Sequence, residues 1–103
     1  MGFFSSLFGG GNKPNLKEII NQGAFLVDVR EKMEFAEGSV KGAVNIPLGT
    51  IPGQLEKFKN KSNIIVFCRS GMRSGQAKSI LEANGITNVF NGGSYLAVAD
   101  LIK

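Results

Sequence analysis

Apolar residues in this chain form short dense runs separated by sparser, evenly spaced sets. The densest run is Ile64-Ile65-Val66-Phe67, largely β-branched, which predicts a central strand covered on both faces. Phe25 to Val29 is a second run, interrupted only by Asp28, and predicts another buried parallel strand. Shorter runs at Ala43 to Ile46, closed by Pro47, and near Thr87 to Phe90 predict two more. Between the runs the period changes. Leu16, Ile19 and Ile20 mark a helical face behind Asn15, a candidate N-cap with Glu18 three residues on, and Gly23 stops that helix. Glu31 to Glu37 predicts a short helix with Met33, Phe35 and Ala36 as its apolar contacts. Ile51, Leu55 and Phe58 are spaced for another helix. Ala77, Ile80 and Leu81 share one side of a longer helix ended by Gly85, and a last helix starts near Ser94, after the turn Asn91-Gly92-Gly93. Strands alternating with helices predict an α/β domain: a parallel sheet with helices on both faces.

At 103 residues the chain suits one domain. Residues 1–8 (MGFFSSLF) precede Gly9-Gly10-Gly11, so 1–11 reads as an apolar segment on a glycine tether and 12–103 as the domain. If residues 2–8 turn helically, Phe3, Phe4, Leu7 and Phe8 fall on one side. One reading is that they fold back or stay disordered. The other is self-association or surface docking through residues 3–8, onto a second copy, another protein or a membrane. Met1-Gly2 with Ser6 also fits the loose myristoylation pattern.

Composition then removes whole classes of chemistry. There is one cysteine and no histidine. An internal disulfide, a CxxC pair and Cys–His or Ser–His catalysis are therefore excluded, and a structural zinc site is not expected. The net charge is +4, with a short basic run at Lys57, Lys59 and Lys61. No aromatic residues interleave with that run, so it reads as a solvated face and not as a nucleic-acid surface. The positive excess favours small anionic substrates. No stretch approaches the ~20 apolar residues of a membrane span, and the N-terminus lacks a signal-peptide pattern. A cytoplasmic protein is expected.

The candidate chemistry lies directly after the densest strand. A lone cysteine there would ordinarily be inert core. At Cys68, however, the apolar run gives way to Arg69-Ser70-Gly71-Met72-Arg73, small, polar and cationic, just before a helix. The carboxyl end of a strand in an open α/β sheet is where ligands bind. A helix N-terminus beside it offers free N–H groups, and a loop of this kind can wrap its amides around one atom. Gly71 lets the backbone curl. The helix end, Arg69 and Arg73 are expected to lower the Cys68 pKa. A thiolate in a ring of donors suits attack on phosphorus or on a sulfane sulfur. Tyrosine-phosphatase loops follow C-x5-R, which would place arginine at Ser74, whereas here Arg73 gives C-x4-R. The tighter ring favours sulfur over a phosphatase or arsenate reductase.

Four motifs in order resemble rhodanese homology domains. They are Val27-Asp28-Val29-Arg30-Glu31 followed by Glu34-Phe35, Gly42-Ala43-Val44-Asn45-Ile46-Pro47, the six-residue loop Cys68 to Arg73 followed by Ser74, and Asn91-Gly92-Gly93. The resemblance implies a three-layer domain with a central parallel sheet of four to five strands. A first edge strand near Asn12 to Pro14 is not obvious. The resemblance also implies a sulfurtransferase, with no organic cofactor and no metal. Cys68 would take the outer sulfur of a small anionic donor such as thiosulfate as a persulfide and pass it to cyanide, a thiol or a protein acceptor. Arg69 and Arg73 would bind the donor, and the amides of Arg69, Ser70, Gly71, Met72 and Arg73 would hold the persulfide. An alternative of a different class is a persulfide carrier or sensing module without turnover. Ser39 stands where members often carry histidine, and Tyr95 where many carry an aromatic residue.

Other residues read more simply as structure. Asp28 and Arg30 end a strand at the ligand-facing edge, but such a pair more often ties loops together. Met33 and Met72 either line the pocket or fill the core. Glu31, Glu34 and Glu37 read as helix surface.

Overall fold

In the computed structural model, which describes residues 14–102, the two densest apolar runs become the two inner strands of the sheet. These are β1 (Phe25–Asp28) and β3 (Ile64–Cys68). The outer strands are β2 (Val44–Asn45) and β4 (Val89–Ser94), in the order β2-β1-β3-β4, all parallel. Burial on both faces explains why β3 has no polar alternation: all five of its residues are buried.

Side chains of successive strand residues point to opposite faces, which divides the core in two. On one face Val27, Val29, Ile64, Val66 and Cys68 pack with Ala77 and Leu81 of helix α3 (Met72–Ala83) and with Ile51 and Phe58. On the other, Leu26, Ile65 and Phe67 meet Leu16, Ile19 and Ile20 of α1 (Leu16–Asn21). Val98, Ala99 and Tyr95 of α4 (Tyr95–Leu101) cover the same face. The result is three layers. Asn15 caps α1 by accepting the Glu18 N–H at 3.1 Å, and Ser94 caps α4 through the Ala97 N–H at 3.1 Å.

Three expectations are corrected. The segment holding Ile51, Leu55 and Phe58 is not an α-helix but two 3-10 turns, Leu48–Gly53 and Leu55–Phe58. Pro52 supplies no N–H, and Gly49 and Gly53 disfavour an α-helix, yet Ile51 and Phe58 still reach the core. In α2 (Lys32–Glu37) neither Met33 nor Ala36 is an apolar contact: both are exposed, and only Phe35 is half-buried. Asn91-Gly92-Gly93 is not a turn after the last strand but part of β4, where the pairing skips Gly92 in a bulge. A Cβ on Gly92 would lie 2.7 Å from Val98 Cγ2 and 2.9 Å from Ile65 Cγ2, so the bulge has no room for a side chain.

The chain forms four strands among the described residues. Pro14 is not in a strand, and residues 12 and 13, like the apolar segment 1–11, lie outside the described residues. No described helix is long and apolar enough to cross a membrane. Lys57, Lys59 and Lys61 are exposed; Lys59 pairs with Glu56 at 3.0 Å, and Lys61 Nζ lies 4.6 Å from the centroid of the Phe25 ring.

Candidate active site

β3 ends on Cys68, and its parallel neighbours end beside it, so the cysteine loop stands at the carboxyl edge of the sheet. The chain leaves the strand at Arg69 and Ser70, reverses at Gly71 with φ of +99°, and enters α3 at Met72. Only glycine adopts that φ without strain. Gly71 also faces β4 closely: a Cβ there would lie 3.4 Å from Gly93 Cα.

This reversal turns backbone donors onto sulfur. Gly71 N–H points at Cys68 Sγ with N···S 3.0 Å, and Ser74 Oγ lies 3.5 Å from the same atom. Cys68 is almost fully buried, and burial by itself pushes a thiol pKa up. The Ser74 hydroxyl and the N–H groups of Ser74, Ser70 and Gly71 outweigh it and bring the pKa down to about 7. The helix end therefore acts as the sequence predicts. The cationic part of that expectation is modified, because Arg73 is already engaged. Its Nη1 and Nη2 grip Glu34 Oε1 and Oε2 at 2.7 and 3.1 Å. Arg69 is largely exposed, with Nε 3.7 Å from Glu34 Oε2.

Of the loop residues singled out in the sequence, the structure brings the Gly71 and Ser70 backbone to the sulfur and sets Arg69 and Arg73 around one carboxylate. Met72 is 77% exposed, so it fills no core. Met33 is likewise on the surface. Glu34 is not simply helix surface. The Arg73 contact, then the Glu31 N–H donated to Oε1 at 2.9 Å, hold its carboxyl down at about 2. The Glu31-x-x-Glu34 spacing signals the helix start, but its partner lies 39 residues away and leaves no local mark.

Asn91, which the sequence places only in a glycine turn, also belongs to the site. Its Oδ1 accepts Gly93 N–H at 2.9 Å, and its Nδ2 donates to Gly71 C=O at 3.0 Å. Both partners are backbone groups with one possible role, so the amide orientation is determined. Oδ1 also accepts the Ser74 hydroxyl at 2.7 Å. Asn91 thus ties the bulge of β4 to the loop and to the hydroxyl beside the sulfur.

Behind the loop, Asp28 and Arg30 are both buried and form a structural pair. Arg30 Nε lies 3.0 and 3.1 Å from the two Asp28 oxygens, and Nη2 lies 2.8 Å from Oδ2. Arg30 Nη2 also donates to Gly38 C=O at 2.6 Å, and its guanidinium lies 3.9 Å from the Tyr95 ring centroid. Ser39 donates to Asp28 Oδ2 at 2.6 Å, completing the acceptor's shell. Asn45 Nδ2 donates to the carbonyls of Asp28 and Arg30 and fixes the next loop. An open cleft of about 560 Å³ between Pro14, Leu16, Lys78, Glu82 and β4 borders Asn91 but not Cys68. The donors to Cys68 converge at the small loop and not at this cleft.

Comparison with known proteins identifies the family. The rhodanese-like domain family matches residues 13–96. The putative sulfurtransferase YtwF of Bacillus subtilis is 38% identical over 84 residues, covering 80% of this chain and 82% of YtwF. The thiosulfate sulfurtransferase PspE of Escherichia coli is 36% identical over 75 residues, covering 71% of this chain and 72% of PspE. A solved structure described as rhodanese with anions from E. coli superposes with a TM-score of 0.63 at 33% identity, covering 75% of this chain and 93% of that one. The chain spans 54% and 65% of the length of two other curated relatives that it matches. Relatives named as sulfurtransferases and as a putative sulfur carrier both occur. A parallel sheet ending in a donor-ringed cysteine, matched by the family from residue 13 to residue 96, establishes that this chain belongs to the rhodanese-like domain family.

Proposed function

We propose that the protein is a sulfurtransferase that carries sulfane sulfur on Cys68. The observation that carries this reading is the buried sulfur held by Gly71 N–H at 3.0 Å, with a pKa of about 7. Such a thiol is substantially ionised near neutral pH, and the thiolate is the nucleophile. With thiosulfate, Cys68 Sγ attacks the outer sulfur and the donor's S–S bond breaks. Sulfite leaves with the bonding pair, and the cysteine persulfide anion remains. A cyanide or thiolate acceptor then attacks the outer persulfide sulfur, and Cys68 departs as thiolate with its electron pair. Atoms and charge balance in both steps without a metal or redox cofactor. The loop amides favour an anionic sulfur in either state.

Arg69 and Arg73 are the loop cations that bind a donor's sulfonate, Arg73 being paired with Glu34 before the donor arrives, and Ser70, Gly71 and Met72 form the rest of the loop around it. The acceptor is a small thiol or a protein thiol. A chain with one cysteine and no disulfide suits a reducing, cytoplasmic setting.

Intact mass spectrometry after thiosulfate treatment tests the first half: one sulfur atom is added to the wild type and none to Cys68→Ser. Steady-state turnover with thiosulfate and cyanide separates an enzyme from a carrier that loads but does not turn over. The carrier reading has one observation in its favour: with no second cysteine, nothing in the chain can resolve the persulfide. Arg73→Ala should impair thiosulfate turnover more than Lys59→Ala, whose side chain pairs on the surface with Glu56.

A further inference from the structure

We propose that Glu34 determines how strongly the Cys68 loop selects anionic sulfur donors, because its carboxylate occupies the guanidinium edge of Arg73 that a donor's sulfonate would need. The inference rests on the donor reading above, but its main test does not require sulfur transfer.

The geometry is that of a complete anion site already filled from within. Two parallel bonds at 2.7 and 3.1 Å join Arg73 to Glu34. This forked pairing is the one a guanidinium makes with a carboxylate or with two oxygens of a tetrahedral oxyanion such as a phosphate, and a sulfonate presents the same pair of oxygens. Arg69 approaches the same carboxylate, with Nε 3.7 Å from Oε2. One carboxylate thus sits among both loop cations.

Glu34 is also not free to drift away. It stands in the first turn of α2, where it and Glu31 form a capping box, and Oε1 accepts Glu31 N–H at 2.9 Å. Its side chain is 22% exposed and that of Arg73 33%, so the pair is partly shielded from water and salt. An incoming dianion therefore meets a loop in which one of two positive charges is cancelled, beside a sulfur that must itself be an anion to react. To use Arg73 it must displace Glu34. A donor with little negative charge has no such exchange to make. Glu34 is a positioning and specificity residue: it acts through Arg73 and touches no reacting atom.

The discriminating experiment compares alkylation of Cys68 by iodoacetate and by iodoacetamide in the full chain. Both reagents attack the same thiolate, so the ratio of their rate constants cancels any change in ionisation and reports the charge that an approaching anion meets. Glu34→Gln should raise the iodoacetate-to-iodoacetamide ratio roughly threefold to tenfold, as removal of one charge at short range predicts. Glu34→Asp, which shortens the arm but keeps the charge, should stay near the wild-type ratio. Glu34→Ala serves as a second neutral variant if Gln disturbs folding, with thermal melting as the check. In turnover, Glu34→Gln should lower KM for thiosulfate several-fold while changing kcat little. An unchanged or lowered alkylation ratio in a folded neutral variant overturns the proposal. Equal shifts in the Asp and Gln variants overturn it too, since they would show that geometry and not charge is felt. If neither wild type nor variants load sulfur but the ratio rises as stated, the donor reading fails and the charge control stands.

Discussion

Ser74 Oγ lies 3.5 Å from Cys68 Sγ and 2.7 Å from Asn91 Oδ1, so one hydroxyl serves both residues. A serine has a single hydroxyl hydrogen. While Cys68 is a thiol, its S–H can donate to Ser74, which donates on to Asn91. When Cys68 is a thiolate, the same hydroxyl can rotate to donate to sulfur. Ser74→Ala should therefore raise the Cys68 pKa from about 7 toward the free-thiol value of about 8.5. The midpoint of the alkylation rate against pH measures it. A midpoint unchanged by the substitution would leave the loop amides as the whole explanation.

Asn91→Asp keeps the shape and the acceptor for Gly93 N–H but adds a negative charge one hydroxyl away from the sulfur and removes the bond to Gly71 C=O. Its alkylation midpoint should rise by about one unit or more, since a nearby like charge disfavours the thiolate. Asn91→Ser, which adds no charge, should shift it less.

The lowered Cys68 pKa also makes stability depend on pH. Between the folded value of about 7 and an unfolded value of about 8.5, the unfolded chain holds the proton that the folded one has released. Stability from this group is therefore full above the unfolded pKa and is lost as pH falls through 7. The contribution is at most about 2 kcal/mol. Urea unfolding at about pH 6 and about pH 9 should show it as a difference between wild type and Cys68→Ser. A constant difference across that range would contradict the assigned pKa.

Arg30 and Asp28 are both buried, so removing one partner strands the other charge. Arg30→Ala should cost roughly 3–5 kcal/mol, read as a fall in the urea midpoint, against less than about 1 kcal/mol for Lys59→Ala on the surface. Near-equal losses would mean that the Asp28–Arg30 pair does not anchor the end of β1.

Gly92→Ala should destabilise by roughly 1–3 kcal/mol, because its Cβ would press against Val98 and Ile65. Gly49→Ala, in open space and without a left-handed φ, should be close to neutral. Thermal midpoints of the two variants decide it.

What the sequence determined by itself was whatever short-range pattern can encode. The unbroken run from Ile64 to Phe67 requires a strand buried on both faces, because no polar residue offers it a solvent side. Asn15 and Ser94 announce their helices because a capping side chain bonds only two or three residues onward. The loop from Cys68 to Arg73 was legible for the same reason: strand end, glycine reversal and helix start follow one another along the chain. Tertiary structure alone decided which partners this loop meets. Glu34 and Asn91 reach it from elements 39 and 20 residues distant, and nothing local distinguishes them from a surface glutamate and a turn asparagine. Parallel pairing brought them there, since it aligns the ends of β1, β3 and β4 at one edge and sets α2 and the β4 bulge on either side of the sulfur. What Arg73 is paired with and where the Ser74 hydroxyl donates depend on those neighbours.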